Sequence, residues 1–152
     1  MSPIKVEEDQ IVQEVVIKAP AERIFRALTR PEELLRWWSC EGKFKIIHAE
    51  CDLQPGGKWR IQVAGSCTGA AFSTVYGEFR TIEPPRLLTY TWIRENEDFP
   101  ETLVRWDLDE KDGYTRVRIT HAGLVTERLR NRNDGWPLIV SLLKAYVDSQ
   151  PR

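Results

Sequence analysis

The feature that most constrains the fold of this chain is a change in the spacing of its apolar residues. Segments 58–64, 87–93, 102–109 and 114–121 alternate apolar with polar side chains, the period of a strand with one buried face. Residues 136–147 instead carry apolar side chains three or four positions apart, the period of an amphipathic helix. A sheet that is apolar on one face needs a cover. The sequence therefore predicts an antiparallel sheet curved around one long C-terminal helix.

The N-terminal half adds strands and two short helices. Further strands are predicted at 10–18, 44–53 and 71–82, which brings the sheet to seven strands. Pro20 and Pro31 each suit the first turn of a helix, because the N–H that proline lacks has no partner there. Two short helices should therefore follow the first strand. The predicted fold class is α+β, with a single domain over residues 10–150 and a flexible arm at 1–9.

The C-terminal helical segment, residues 126–149, contains a proline at position 137. Inside a helix, proline removes a backbone hydrogen bond and costs about 3 kcal/mol. We therefore expect either a kink or a new helix start at Pro137. Asn133 or Asp134 could cap the second piece.

Charge and composition exclude several classes of function. The formal net charge is -1 and the pI is about 6.2, without the basic stripe of a nucleic-acid binder. Three cysteines outside any C-x-x-C pair and two histidines predict neither a disulfide framework nor a metal site. No dinucleotide or phosphate-binding fingerprint occurs, so no cofactor is expected. Without a signal peptide or a run of ~20 apolar residues, we expect a cytoplasmic protein with no membrane span.

Six tryptophans in 152 residues could fill a core or line a cavity. A strongly curved sheet leaves more volume than one helix fills, so we predict an apolar cavity of at least a few hundred Å³ that binds a small apolar molecule. The alternative for each residue is a solidly packed core. The candidate cavity residues are Trp38, Trp59, Ile61, Val63, Phe72, Tyr76, Tyr90, Trp92, Trp106, Ile119, His121, Trp136, Val140 and Leu143.

Trp37 and Trp38 are adjacent near the end of the second short helix, so they cannot share one face of it. In one interpretation, one ring packs inward and the other borders the cavity mouth. In the other, both rings fasten the helices to the sheet.

Two residues are candidates for acid–base chemistry. Alternation places His121 on the inward face, where it could act as a general base or orient a ligand; the alternative is a histidine at the strand end that is hydrogen-bonded to the backbone. Glu78 shares a face with Tyr76 and could be a desolvated carboxylate with a raised pKa. Alternatively, Gly77 bends the strand and turns Glu78 to solvent. Nothing in the sequence indicates that His121 and Glu78 approach each other.

Several strings, in order, resemble the AHSA1 family (activator of Hsp90 ATPase homolog 1-like) of the Bet v 1/START-like, or SRPBCC, helix-grip superfamily. They are IKAPAERIFRALTRPEELLRWW at 17–38, LQPGGKWRIQV at 53–63, YGEFRTIEPPRLLTYTW at 76–92, and TRVRITHAGL at 115–124 with Gly135-Trp136 after it. The predicted order of strand, two short helices, six strands and long helix is also that of the superfamily.

This resemblance implies three functions. Stand-alone members imply binding or sequestration of a small hydrophobic ligand. Related branches include aromatases and cyclases, which would imply a cofactor-independent cyclase or hydrolase using the same cavity. Members that regulate Hsp90 imply a chaperone partner and a role in the stress response, although they carry a separate Hsp90-binding domain that this sequence does not show. A monomer or a homodimer is expected, since an exposed edge strand could pair with a second copy.

Overall fold

The structure, a computed structural model, describes residues 5–7, 9–40, 44–65 and 72–149. The elements of this described part are β1 (Lys5–Glu7), β2 (Gln10–Ile17), α1 (Ala21–Thr29), α2 (Pro31–Trp37), β3 (Ser39–Cys40), β4 (Phe44–Cys51), β5 (Lys58–Ala64), β6 (Phe72–Glu83), β7 (Leu87–Arg94), β8 (Thr102–Lys111), β9 (Tyr114–Ala122), α3 (Glu127–Arg132) and α4 (Trp136–Ser149).

All strands join one antiparallel sheet in the order β1-β2-β9-β8-β7-β6-β5-β4-β3. The seven long strands match the seven predicted ones and form the helix-grip α+β fold. Two short strands extend the edges, where β1 pairs with β2 and β3 pairs with β4. Residues 5–7, which were predicted within a flexible arm, are thus paired to the sheet.

The alternating pattern gives the sheet one apolar and one charged face. In β8, Val104, Trp106 and Leu108 are buried, and Trp106 and Leu108 stand opposite apolar residues of β9. The residues between them face outward, where Arg105 pairs with Asp107 through bonds of 2.9 and 3.0 Å. Because one face alone is apolar, the helices must cover that face.

The two short helices pack at one end of the sheet. Pro31 begins α2, as expected of a residue that lacks an N–H. The Trp37 indole Nε1 donates to the Ala27 carbonyl at 2.8 Å, which fastens α2 to α1. Trp38 follows the helix and points to the interior.

The C-terminal segment forms two helices, and Pro137 is the second residue of α4. The predicted new helix start is therefore confirmed. Asn133 does not cap α4 with its side chain: its Oδ1 accepts hydrogen bonds from Trp92 and Arg94, and its Nδ2 donates to the Leu129 carbonyl. Its amide is held by these bonds between the sheet and α3.

The long helix α4 buries the predicted stripe, namely Trp136, Ile139, Val140, Leu143 and Val147. It packs mainly against β2, and also against α1 and α2. Among the described residues, no helix is both long enough and apolar enough to cross a membrane. Because α4 lies toward the β2 side and α2 packs against β4, the strands β5–β7 receive less cover from helices.

Candidate functional site

A cavity of about 190 Å³ lies between β4–β7 and the start of α4. Its apolar lining comes from Trp38, Phe44, Ile61, Val63, Val75, Trp92, Trp136 and Ile139. Its polar lining comes from Ser73, Arg94, Asn131, Arg132, Asn133, Asp134 and Gly135. Asn131, Asp134 and Gly135 are exposed, so the cavity reaches the surface at the connection between α3 and α4.

Three tryptophans form the aromatic wall of the cavity. The ring centroids of Trp38 and Trp92 lie 6.5 Å apart and the rings are stacked. Trp136 lies 6.0 Å from Trp38 and 5.4 Å from Trp92, at steep angles to both. Such offset and edge contacts are favourable arrangements of aromatic rings. Trp38 thus borders the cavity, whereas Trp37 packs between the two short helices.

Hydrogen bonds fix two of these rings. The Nε1 of Trp92 donates to Asn133 Oδ1 at 3.1 Å, and the Nε1 of Trp136 donates to His121 Nδ1 at 3.1 Å. The Nε1 of Trp38 has no hydrogen-bond partner within the described part of the chain. The rings of Trp92 and Trp136 are therefore held in place, while no described residue accepts the N–H of Trp38.

Arg94 is the main polar group of the cavity. Its Nε and Nη2 donate to Asn133 Oδ1 at 3.0 and 2.9 Å, and Nη2 also donates to the Arg132 carbonyl at 3.3 Å. The guanidinium carbon lies 5.5 Å from the centre of the Trp92 ring, within cation–π range. Burial, with some repulsion from Arg132, lowers the pKa of Arg94 to about 10, which leaves it charged at neutral pH.

A second, much smaller void of about 20 Å³ lies deeper in the interior, large enough for about one water. Trp38, Ile61 and Trp92 border both spaces. Trp59 and Tyr90 border the small void only, and their rings meet edge to face at 4.9 Å. Trp38 and Trp92 thus lie between the main cavity and the small void.

The predicted cavity residues do not all line one space. Those that line the main cavity are Trp38, Ile61, Val63, Trp92 and Trp136. Trp59 and Tyr90 border only the small void, while Trp106, Ile119, Val140 and Leu143 are buried without lining either space. Tyr76 lies on the outer face, and the side chain of Phe72 lies outside the described residues. Because large side chains fill so much of the interior, the cavity is smaller than the few hundred Å³ expected.

His121 is fully buried, and both of its ring nitrogens are engaged. Nδ1 accepts from Trp136, so Nε2 carries the proton and donates to Thr102 Oγ1 at 2.7 Å. Burial, and secondarily the charge of Arg94, lowers the pKa of His121 to about 3. His121 therefore lies in the core and does not line the cavity, and its partners are two side chains where the alternative predicted the backbone.

The inward face of β6 is the opposite of the one predicted. Tyr76 and Glu78 point outward, and Lys58 Nζ donates to Glu78 Oε2 at 2.9 Å. That bond to Lys58 lowers the pKa of Glu78, whereas a desolvated carboxylate would have a raised pKa. Gly77 takes the inward position instead. No side chain fits there, because a Cβ would lie 2.0 Å from the Thr91 carbonyl oxygen. The two predicted acid–base residues therefore do not meet.

Sequence reasoning missed the polar side of the cavity. Arg94 continues the inward series Leu88, Tyr90, Trp92 by one more step, so a longer reading of the β7 alternation would have placed it inside. Asn133 gave no comparable signal, since its contacts depend on how α3 meets the sheet. Among the described residues, no group of three or more His, Cys, Asp or Glu is placed to hold a metal ion.

Comparison with known proteins identifies the family. The family model described as activator of Hsp90 ATPase homolog 1-like protein, AHSA1, matches residues 18–148. The chain belongs to the AHSA1 family. The helix-grip fold of this family commonly binds hydrophobic ligands. No curated relative matches the sequence.

Solved structures show the same fold. A protein from Mycobacterium smegmatis is similar with a TM-score of 0.84 and 20% identity over 99% of both chains. A protein from Chromobacterium violaceum gives 0.80 and 23% identity over 93% of this chain and 99% of the other. The solution NMR structure of an AHSA1-like protein from Aeromonas hydrophila gives 0.74 and 22% identity over 92% of both chains.

Proposed function

We propose that this AHSA1 protein binds a small apolar molecule in the cavity bounded by Trp38, Trp92 and Trp136. The observation that supports the proposal is a space of about 190 Å³ with an aromatic wall and a surface opening. An apolar cavity of about 150 Å³ is enough to hold benzene in an engineered protein. The space therefore suits a molecule of about one aromatic ring with a few further atoms.

The fixed walls favour binding over collapse of the cavity. The rings of Trp92 and Trp136 each have an N–H that is hydrogen-bonded to a buried partner. Rotating either ring to fill the space would break this bond and leave a buried indole N–H unsatisfied, which costs about 1–3 kcal/mol. A site that is formed before the ligand arrives loses less free energy on ordering.

Binding without catalysis is the better supported form of the proposal. His121 has both ring nitrogens occupied in the core, and Glu78 forms an ion pair on the outer face. A general base must come within hydrogen-bond reach of the proton that it removes. Neither residue lines the cavity.

The test is a titration with toluene, a neutral probe, followed by NMR at the indole N–H signals. We expect saturable shifts at Trp38, Trp92 and Trp136, because toluene would lie against these rings. Val63→Phe should block them, since Val63 lines the cavity. The matched control is Val16→Phe, the same change at a residue that is 51% exposed, and it should leave the titration unchanged.

The unliganded spectrum of each variant reports whether it folds. If toluene and related single-ring compounds cause no saturable shift in the natural sequence, the cavity does not bind apolar molecules. Equal binding to the two phenylalanine variants would also contradict the proposal, because it would place the probe elsewhere.

A further inference from the structure

Arg94 is a cation at the edge of an apolar cavity, without an ion-pair partner in the described part of the chain. No carboxylate oxygen of those residues lies within 4.0 Å of its nitrogens. Its neighbours are the uncharged side-chain oxygen of Asn133 and the carbonyl oxygen of Arg132. A partly buried charge that is met only by dipoles is poorly compensated.

The guanidinium also has donors to spare. Of its five N–H groups, those of Nε and Nη2 make the bonds to Asn133 and Arg132. The two N–H groups of Nη1 have no hydrogen-bond partner among the described residues. Asn133 Oδ1 already accepts from both Arg94 and Trp92, so it has no capacity for a further donor.

The neighbouring charges do not neutralise Arg94. Glu97 is the nearest acidic influence, but its two oxygens accept from Arg132 at 2.7 and 2.9 Å, a two-bond ion pair. Asp134 lines the opening with an exposed side chain, where water and salt screen its charge. Since Glu97 is bound to Arg132 and Asp134 is screened, the guanidinium of Arg94 is a partly buried positive charge that no carboxylate of the described residues directly neutralises.

Resting on the proposed function, we infer that the ligand is an anionic amphipathic molecule, with an apolar ring against the tryptophans and a carboxylate that Arg94 binds. A carboxylate fits the planar fork of a guanidinium and forms short, charge-assisted hydrogen bonds with it. Trp38, whose N–H is bonded to none of the described residues, lines the same cavity. A neutral apolar guest would instead bury Arg94 more deeply and leave its charge uncompensated.

The inference is tested with phenylacetate and its neutral amide, phenylacetamide, which have the same ring and nearly the same size. Both are titrated into the full chain by NMR, with the indole N–H signals as reporters. We expect the natural sequence to bind phenylacetate roughly 10- to 100-fold more tightly than phenylacetamide, the usual effect of a hydrogen bond to a charged group.

Two variants locate the preference. Arg94→Met keeps a long side chain without charge, and it should bring the two dissociation constants to about the same value while phenylacetamide still binds. Arg80→Met is the matched control, since Arg80 is exposed on the sheet and is 3.8 Å from Glu78. It should keep the full preference for phenylacetate.

Each outcome has a distinct meaning. If the natural sequence binds both compounds equally, the anionic ligand is refuted while the cavity proposal stands. If neither compound nor toluene binds, the cavity proposal itself fails, and this inference fails with it. Should Arg94→Met not fold, Arg94→Lys replaces it: retention of a reduced preference supports the inference, and an unchanged preference contradicts a role for the guanidinium fork.

Discussion

The two halves of the sheet both bury tryptophan but differ in how they are filled. The packed side, formed by β2, β8 and β9 beneath α4, buries Trp106 without lining a cavity. The open side, formed by β4–β7, has Trp38 and Trp92 facing the 190 Å³ space. The difference follows from the position of α4, which packs mainly against β2. Residue type alone does not decide whether a tryptophan fills a core or forms a wall.

The largest expected effect contrasts the same substitution on the two sides. Trp106→Ala should lower the free energy of unfolding by about 3–5 kcal/mol, because it leaves a large void and removes the 2.9 Å bond to the Tyr90 hydroxyl. Trp38→Ala should cost less, since that ring already faces empty space and none of the described residues accepts its N–H. Urea unfolding measures both, and equal losses would contradict the contrast.

The second effect is a pH dependence on the packed side. His121 is neutral in the folded protein, with a pKa of about 3, whereas the unfolded chain takes up a proton near the ordinary value of 6.5. Stability should therefore be full above that value and fall as the pH drops toward 3. Between pH 7 and pH 5 the loss should be about 2 kcal/mol.

Urea unfolding at both pH values checks this dependence. His121→Phe should flatten the slope between pH 7 and pH 5, and His48→Gln, at an exposed position, should leave it as it is. A slope that survives His121→Phe would show that another group is responsible.

A smaller contrast compares two buried valines. Val117 is fully buried in β9, whereas Val75 is 2% exposed to solvent and lines the cavity. Val117→Ala should cost about 1 kcal/mol more than Val75→Ala, because a side chain beside empty space has fewer contacts to lose. Thermal unfolding of the pair measures the difference; the reverse order would mean that the cavity wall is the tighter region.

The smallest effect is expected at the outer face of β6. Glu78→Gln removes an exposed ion pair with Lys58 and should change neither stability nor phenylacetate binding measurably. A clear loss of phenylacetate binding would show that Glu78 belongs to the binding site and that its placement on the outer face of β6 is wrong.

The fold was predictable wherever alternation was regular. In β8 and β9, charged residues separate the buried series Val104, Trp106, Leu108 and the pair Val117, Ile119, and these faces are as predicted. In β6 the large residues Tyr76 and Glu78 indicated the wrong face. The inward position is Gly77, where the backbone of β7 leaves no room for a side chain. That requirement comes from the closeness of β7 and is invisible in the strand's own sequence.

The candidate site was only partly predictable for the same reason. The apolar wall follows from strand alternation, but its polar end depends on Asn133, which the α3–α4 connection brings under Trp92. Volume was overestimated because the rotamers of Trp59 and Trp106 decide how much space remains. Cytoplasmic location, Hsp90 as a partner and the oligomeric state stay predictions.

The break between α3 and α4 has a consequence for how such proteins diversify. Residues 133–135 border the cavity but belong to no strand, so their number can change without disturbing any cross-strand register. A homologue with a longer connection would accept a longer guest on the same scaffold. Selectivity by size and stability of the sheet can therefore evolve independently.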